Sequence, residues 1–408
     1  MPDASAAAAD TGTPTTPERP RPRAVLPALC ATQITGWGVV YYAFPVLNSR
    51  ITADTGWSTT STTAAFSGAL LVSALVGIPV GRVLDRRGPR AVMTGGSVLA
   101  VAAILAIACA PNLAAFTAAW LLAGVAMAAT FYQPAFAALT RWWGEQRIRA
   151  LTLVTLAGGL ASTVFAPLTA ALAAHFDWRT TYALLAVILA AITIPAHALA
   201  LRAPWPPAPT HDRKAATSNA TSRPITRSRP FLLLTAALTL NGFAIYAVGI
   251  ALVPLLTERG AGPATAAWAL GLSGAGQTLG RTLYATLARR TGVTTRTVAL
   301  IALAGATTAA LGFVPGPIPL LVVLAVLAGM VRGNLTLLQA TAVTDRWGAT
   351  HYGRLSGLMA APVTVAGALA PFAGAALAAQ LGGYPALFAV LTGASLAACV
   401  LAAGSRSR

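Results

Sequence analysis

Apolar residues along this chain do not recur at the three-to-four spacing of a water-facing helix. They continue for about twenty positions at a time and are broken by short polar stretches. The runs lie at 24–47, 63–84, 91–110, 112–139, 150–175 and 180–201 in the first half. In the second half they lie at 230–256, 265–288, 297–314, 318–343, 355–379 and 384–403. About 20 mainly apolar residues cross the hydrocarbon core as a helix. The pattern therefore predicts an all-α polytopic membrane protein with twelve transmembrane helices. The sharpest interruption is the stretch from Gly81 to Arg90, where Arg82, Asp85, Arg86, Arg87 and Arg90 crowd together. Backbone and side chains this polar cannot lie in hydrocarbon, so the chain turns in water there.

The polar segments divide the chain. Residues 1–23 are rich in Ala, Thr and Pro and lack the apolar core of a signal peptide, which predicts a disordered cytoplasmic tail. Residues 202–229, rich in Pro, Thr, Ser and Arg, predict a cytoplasmic linker of low complexity. On either side of it stand two six-helix bundles, 24–201 and 230–403, with a short cytoplasmic tail at 404–408. A repeat at a constant offset of 204 positions relates the bundles. Gly38 matches Gly242, Tyr42 matches Tyr246, Gly56 matches Gly260, Gly88 matches Gly292, Trp143 matches Trp347 and Pro167 matches Pro371. One register held across five spans indicates two parallel copies of the same unit.

Composition narrows the class. Only 9% of the 408 residues are charged and 56% are hydrophobic, against about 25% charged in soluble domains. Mean hydropathy is +0.69. A net charge of +18 on a soluble face would suggest nucleic acid. Here, however, the arginines gather in alternate loops, and the opposite loops carry only Arg50, Arg179 and Arg259. That bias predicts cytoplasmic termini, contact with anionic lipid and no nucleic-acid partner. Arginine in preference to lysine, with abundant Ala and Gly, suggests a GC-rich genome and a bacterial cytoplasmic membrane. Cys30, Cys109 and Cys399 fall inside predicted spans without metal-ligand spacing, so no disulfide, metal or cofactor is expected. Lys214, the only lysine, stands outside any Walker A pattern. No Gly-x-Ser-x-Gly turn or His/Asp/Glu cluster suggests an enzyme.

Candidate chemistry lies in charges inside spans, which are costly and usually functional. All ten acids fall in tails, loops or span ends. Arg332 lies near the middle of the tenth span and Arg281 well inside the eighth. Both are predicted to face a central cavity, where a guanidinium suits a carboxylate or another oxyanion. Arg332, Thr336 and Gln339 share one helix face, Gln277 lies one turn from Arg281, and Gln33, Trp37 and Tyr41 form a stripe with Tyr42 beside it. Tyr132, Gln133, Asn241, Tyr246 and Asn334 add hydrogen-bonding capacity. Alternatively, these groups satisfy one another across helix interfaces. His197 is expected at the membrane interface.

The pattern Gly-x-x-x-Asp-Arg-x-Gly-x-Arg from Gly81 resembles the loop joining the second and third helices of the major facilitator superfamily. The resemblance implies two bundles that rock about a central site. It assigns Gly81, Asp85, Arg86, Gly88 and Arg90 to a cytoplasmic gate that braces the outward-open state. The second copy, 285–292, has Arg289 where Asp85 stands. In the first span, Gly36-Trp37-Gly38 followed by Tyr41, Tyr42 and Phe44 resembles the monocarboxylate transporter and oxalate–formate antiporter branch. Arg281 stands where that branch often has a substrate-facing arginine, but position 277 is Gln where several members place an acid. The fifth span, around Pro167, lacks the flanking glycines of drug–proton antiporters. The expectation is a monomeric secondary transporter that moves a small solute, an organic anion, by alternating access. The alternatives are an efflux pump for a drug, metabolite or toxic oxyanion, and a transporter-like receptor that does not translocate.

Overall fold

In bilayer hydrocarbon every backbone amide must pair within its own segment, and helices are the local solution. The computed structural model describes residues 22–143, 147–205, 225–347 and 352–405, and among them all regular structure is helical. Most of the expected tail and linker lies outside these residues. Among the described residues twelve long helical rods follow one another, with a short helix at Thr344–Trp347 after the tenth. They are α1 (25–55), α2 (Thr59–Arg87), α3 (Pro89–Ala108), α4 (Leu113–Trp143), α5 (147–175) and α6 (Trp178–Ala200). The second set is α7 (Arg229–Glu258), α8 (Pro263–Arg290), α9 (Val293–Phe313), α10 (Ile318–Thr341), α11 (Tyr352–Leu381) and α12 (Tyr384–Gly404). Ten are long and apolar enough by composition to span a bilayer. The other two are α1, interrupted by a π turn at Trp37–Tyr42, and α8, which carries Arg281. Leu75, Ile78, Val187, Leu396 and Val400 are large apolar side chains left exposed, which suits contact with lipid.

The polar stretch after Gly81 is tighter than a loop. Helix α2 continues through Arg87, Pro89 opens α3, and Gly88 alone makes the turn at φ +77°. Only glycine adopts that conformation without strain, and the Trp205 ring packs against it.

The repeat has structural counterparts. Gly56 (φ +71°) and Gly260 (φ +87°) follow α1 and α7 at matching positions. A Cβ on Gly38 would fall 2.2 Å from the Phe165 ring, and one on Gly242 would fall 2.9 Å from Val363, so α1 meets α5 as α7 meets α11. Asp54, ending α1, accepts from Trp178 Nε1 at the start of α6 (2.9 Å). Its counterpart Glu258, ending α7, accepts from the Tyr384 amide at the start of α12 (2.9 Å). Asp177 caps α6 through the Thr180 amide at 2.7 Å, which holds its carboxyl below the usual carboxylate range.

The two sets of helices meet along two seams, α2 against α11 and α5 against α8. Ser67 Oγ accepts from the Phe372 amide at 3.0 Å, and Thr163 Oγ1 donates to the Gly271 carbonyl at 2.8 Å. Both bonds lie on the side of the molecule away from the arginine-rich turns.

His197, three residues from the end of α6, is buried against α3, with Nδ1 2.7 Å from Ser97 Oγ. One placement corrects the sequence-based expectations. Arg296, expected in a loop, lies buried in the first turn of α9 and pairs with Asp345 at 2.5 Å. The acid compensates a charge that could not otherwise be buried.

Candidate functional site

Two adjoining chambers lie between the halves, on the arginine-rich side of the Ser67–Phe372 seam. Along α2 the seam residue Ser67 comes before the lining residues Leu70, Ser73 and Ala74. Along α11 the lining residues Met359, Val363 and Thr364 come before Phe372. One chamber, of about 190 Å³, holds the embedded charge: Arg281, Arg332 and Gln277 line it together with Tyr42. The other, about 320 Å³, is walled mainly by apolar side chains of α2, α4 and α11. Trp37, Tyr41, Tyr132, Tyr246 and Gln339 line both.

Local backbone irregularities deliver these aromatic groups. Residues Trp37 to Tyr42 form a π turn, in which side chains five apart come into line, so Trp37, Tyr41 and Tyr42 share one face. Pro45, just beyond, has no amide to offer the Tyr41 carbonyl. In α4 the helix breaks at Phe131, which is extended at φ −77°, ψ −161°. Pro134 accounts for the break: it cannot donate to the Thr130 carbonyl four residues back, and its ring crowds that oxygen. Gln33 Nε2 pairs with the freed carbonyl at 2.7 Å. The Trp37 ring then stacks on Phe131 at 4.2 Å and leans on Tyr132 at 5.1 Å.

The two arginines are set differently. Arg281 Nη1 donates across the seam to the Thr155 carbonyl of α5 and faces the Tyr132 hydroxyl, while its Nε is buried without a hydrogen-bond partner. Arg332 reaches over Gly249 of α7, where a Cβ would fall 2.8 Å from Nη1. Gly158 likewise leaves room for the Tyr132 hydroxyl, 2.1 Å from where its Cβ would stand. No carboxylate is among the described residues lining either chamber.

Other candidates lie elsewhere. Gln33 is buried behind the wall, where its Oε1 accepts from Trp37 Nε1 at 3.2 Å. Gln133 lines the apolar chamber and presses its amide oxygen against Gly77. Asn241 is fully buried in α7, and Asn334 donates to the Met330 carbonyl of its own helix at 3.0 Å; neither lines a chamber. The side chains of Thr336 and Asp85 lie outside the described residues. Gly81 lines a small recess between α2 and α4, Arg86 is exposed, and Arg90 Nε donates to the Ala198 carbonyl at 2.9 Å. Sequence reasoning missed the walls from α2 and α11. Leu70, Met359 and Val363 look no different in sequence from lipid-facing residues.

Comparison with known proteins agrees with this architecture. The family model described as Major Facilitator Superfamily matches residues 29–255 and 234–407. Monocarboxylate transporter 13 of Bos taurus is 34% identical over 207 residues, 50% of this chain and 47% of that protein. Its counterpart in Rattus norvegicus is 31% identical over the same shares. The chain thus spans about half the length of these curated relatives. An uncharacterized MFS-type transporter, YcxA of Bacillus subtilis (strain 168), is 26% identical over 127 residues, 31% of each chain. Among solved structures, the nucleoside transporter NupG superposes with a TM-score of 0.77 at 14% identity, covering 94% of this chain and 99% of that one. A bacterial homologue of the lysosomal transporter Spinster, in an inward-facing and occupied conformation, gives 0.71 at 14% identity, covering 93% and 95%. At such identity these two likenesses concern the fold alone.

Proposed function

The chain belongs to the Major Facilitator Superfamily, and on that premise we propose that this membrane transporter moves a small organic anion by alternating access. The observation that carries the reading is the meeting of Arg281 and Arg332 in one chamber that no described carboxylate lines. Two guanidinia that line one chamber repel each other. An anion between them offsets that repulsion, and a carboxylate matches the guanidinium fork. Burial of Arg281 Nε without a partner supports a ligand at that point. The likeness of half the chain to monocarboxylate transporters supports the same class of cargo.

In this reading 24–201 and 230–403 are the rocking bundles, and the seam at Ser67 and Phe372 closes the far side of an inward-facing state. The arginine-rich turns face the cytoplasm of a bacterial cell, and the segment from Gly81 to Arg90 braces the opposite state. The test is uptake of labelled carboxylates into proteoliposomes. Arg332→Ala lowers uptake at least about tenfold, while elution as a single folded species is retained; Arg332→Lys recovers part of the loss as a point charge. Undiminished anion uptake by Arg332→Ala would refute the assignment. Transport confined to neutral aromatic compounds would transfer it to efflux of uncharged cargo, a reading that the apolar chamber favours.

A further inference from the structure

We infer that the transported anion carries a sizeable apolar body, aliphatic or aromatic, seated in the second chamber while its charged head lies between Arg281 and Arg332. The inference rests on the anion reading above and adds the substrate class. The charged chamber alone, at about 190 Å³, has ample room for a carboxylate or sulfonate head, since a single water needs only about 10–15 Å³ of such space. A short anion would leave the adjoining 320 Å³ without an occupant that matches its walls. Most of its walls are apolar, among them Leu70 and Ala74 on α2, Met127 and Phe131 on α4, and Met359 and Val363 on α11, with Ser73, Gln133 and Thr364 as polar points between them. An apolar body gains from leaving water against such walls. Adjacency points to the occupant. Trp37, Tyr41, Tyr132, Tyr246 and Gln339 line both chambers, so a ligand held at the arginines has the second space beside it. Tyrosine and tryptophan suit that junction, because each offers an apolar ring to the body and a polar edge to the head.

The experiment is calorimetric binding of linear carboxylates from acetate to octanoate, with benzoate and 2-naphthoate, to the full-length protein in nanodiscs, with empty nanodiscs subtracted. Affinity tightens by about fourfold per methylene buried until the chamber is full, and 2-naphthoate binds more tightly than benzoate. Ala360→Trp fills the chamber from α11, where Ala360 lines it and is exposed; Ala74→Trp fills it from α2. In either variant the loss for octanoate and 2-naphthoate exceeds that for butanoate at least tenfold. Arg332→Ala weakens every member of the series by a similar factor. Affinity that is flat or falling with length overturns the inference, as does a gain with length that neither tryptophan reduces, the mark of partition into lipid. Failure of the parent reading looks different: no carboxylate of any length binds, or Arg332→Ala weakens none.

Discussion

At Pro134 a single missing amide hydrogen shapes the site. The break it forces at Phe131 frees the Thr130 carbonyl, Gln33 Nε2 takes it, and the other end of the same amide orients Trp37. Replacing Gln33 by Ala removes both bonds and leaves a buried carbonyl and a ring N–H in search of partners. The expected cost is about 1–3 kcal/mol in thermal unfolding, together with weaker binding of any ligand that touches Trp37. An unchanged melting temperature would show that Thr130 finds a substitute. Part of this was legible in the sequence: of the stripe Gln33, Trp37, Tyr41, the two aromatic members line the chambers. Depth along that stripe was not, because spacing gives the direction of a side chain and says nothing of which neighbour stands in front of it.

Between α8 and α10 the contact is made by backbone on backbone. A Cβ on Gly276 or Gly280 would fall 2.4 Å from the Val326 carbonyl oxygen or 2.0 Å from that of Met330. Gly329 and Gly333 stand in the same relation to Ser273 (1.9 Å) and Gln277 (2.0 Å). Small residues four apart on each helix permit this approach, which in lipid replaces the missing hydrophobic drive with close packing. Arg281 follows Gly280 and Arg332 precedes Gly333, so the contact that joins the helices also sets the spacing of the two guanidinia. Gly280→Ala should cost about 1–3 kcal/mol through forced separation of the helices and weaken anion binding with it. Gly95→Ala, where nothing stands within 4 Å, should be neutral or stabilising by up to about 1 kcal/mol. Thermal unfolding of the two variants side by side checks both. The four-residue spacings are visible in the sequence, but with 37 glycines in the chain they do not identify their partners.

For the whole molecule, the inward-facing state proposed above depends on the side closed by the seams. Pro371 disturbs the hydrogen bonding of α11, and the next amide, that of Phe372, turns across the seam to Ser67 Oγ. Ser67→Ala removes a bond made only while α2 and α11 are closed on that side. A net hydrogen bond of about 0.5–1.5 kcal/mol corresponds to a shift of about three- to tenfold toward the alternate state. The shift is measured by alkylation of a cysteine placed at Ala360, in a background without Cys30, Cys109 and Cys399. Labelling by a membrane-impermeant reagent from the arginine-rich side should slow as the share of that state falls, by at most that factor; a rate unchanged in Ser67→Ala would mean the bond is remade in both states.

Most of what the sequence determined by itself is additive along the chain. Transfer of a helix into hydrocarbon sums over its own residues, so twelve spans can be marked one at a time. The sidedness of the arginines and the offset of 204 are likewise properties of order alone. Contacts between distant segments are not. To Leu70, Met359 or Val363, a lipid tail and the wall of a chamber are equally apolar, and only the packing of α2 and α11 decides which they meet. The same holds for Arg296 with Asp345 and His197 with Ser97, partners 49 and 100 positions apart. The charge of Arg281 and Arg332 is written in the sequence. Their meeting in one chamber is decided by the glycine contact between α8 and α10, where two backbones come closer than any side chain would allow.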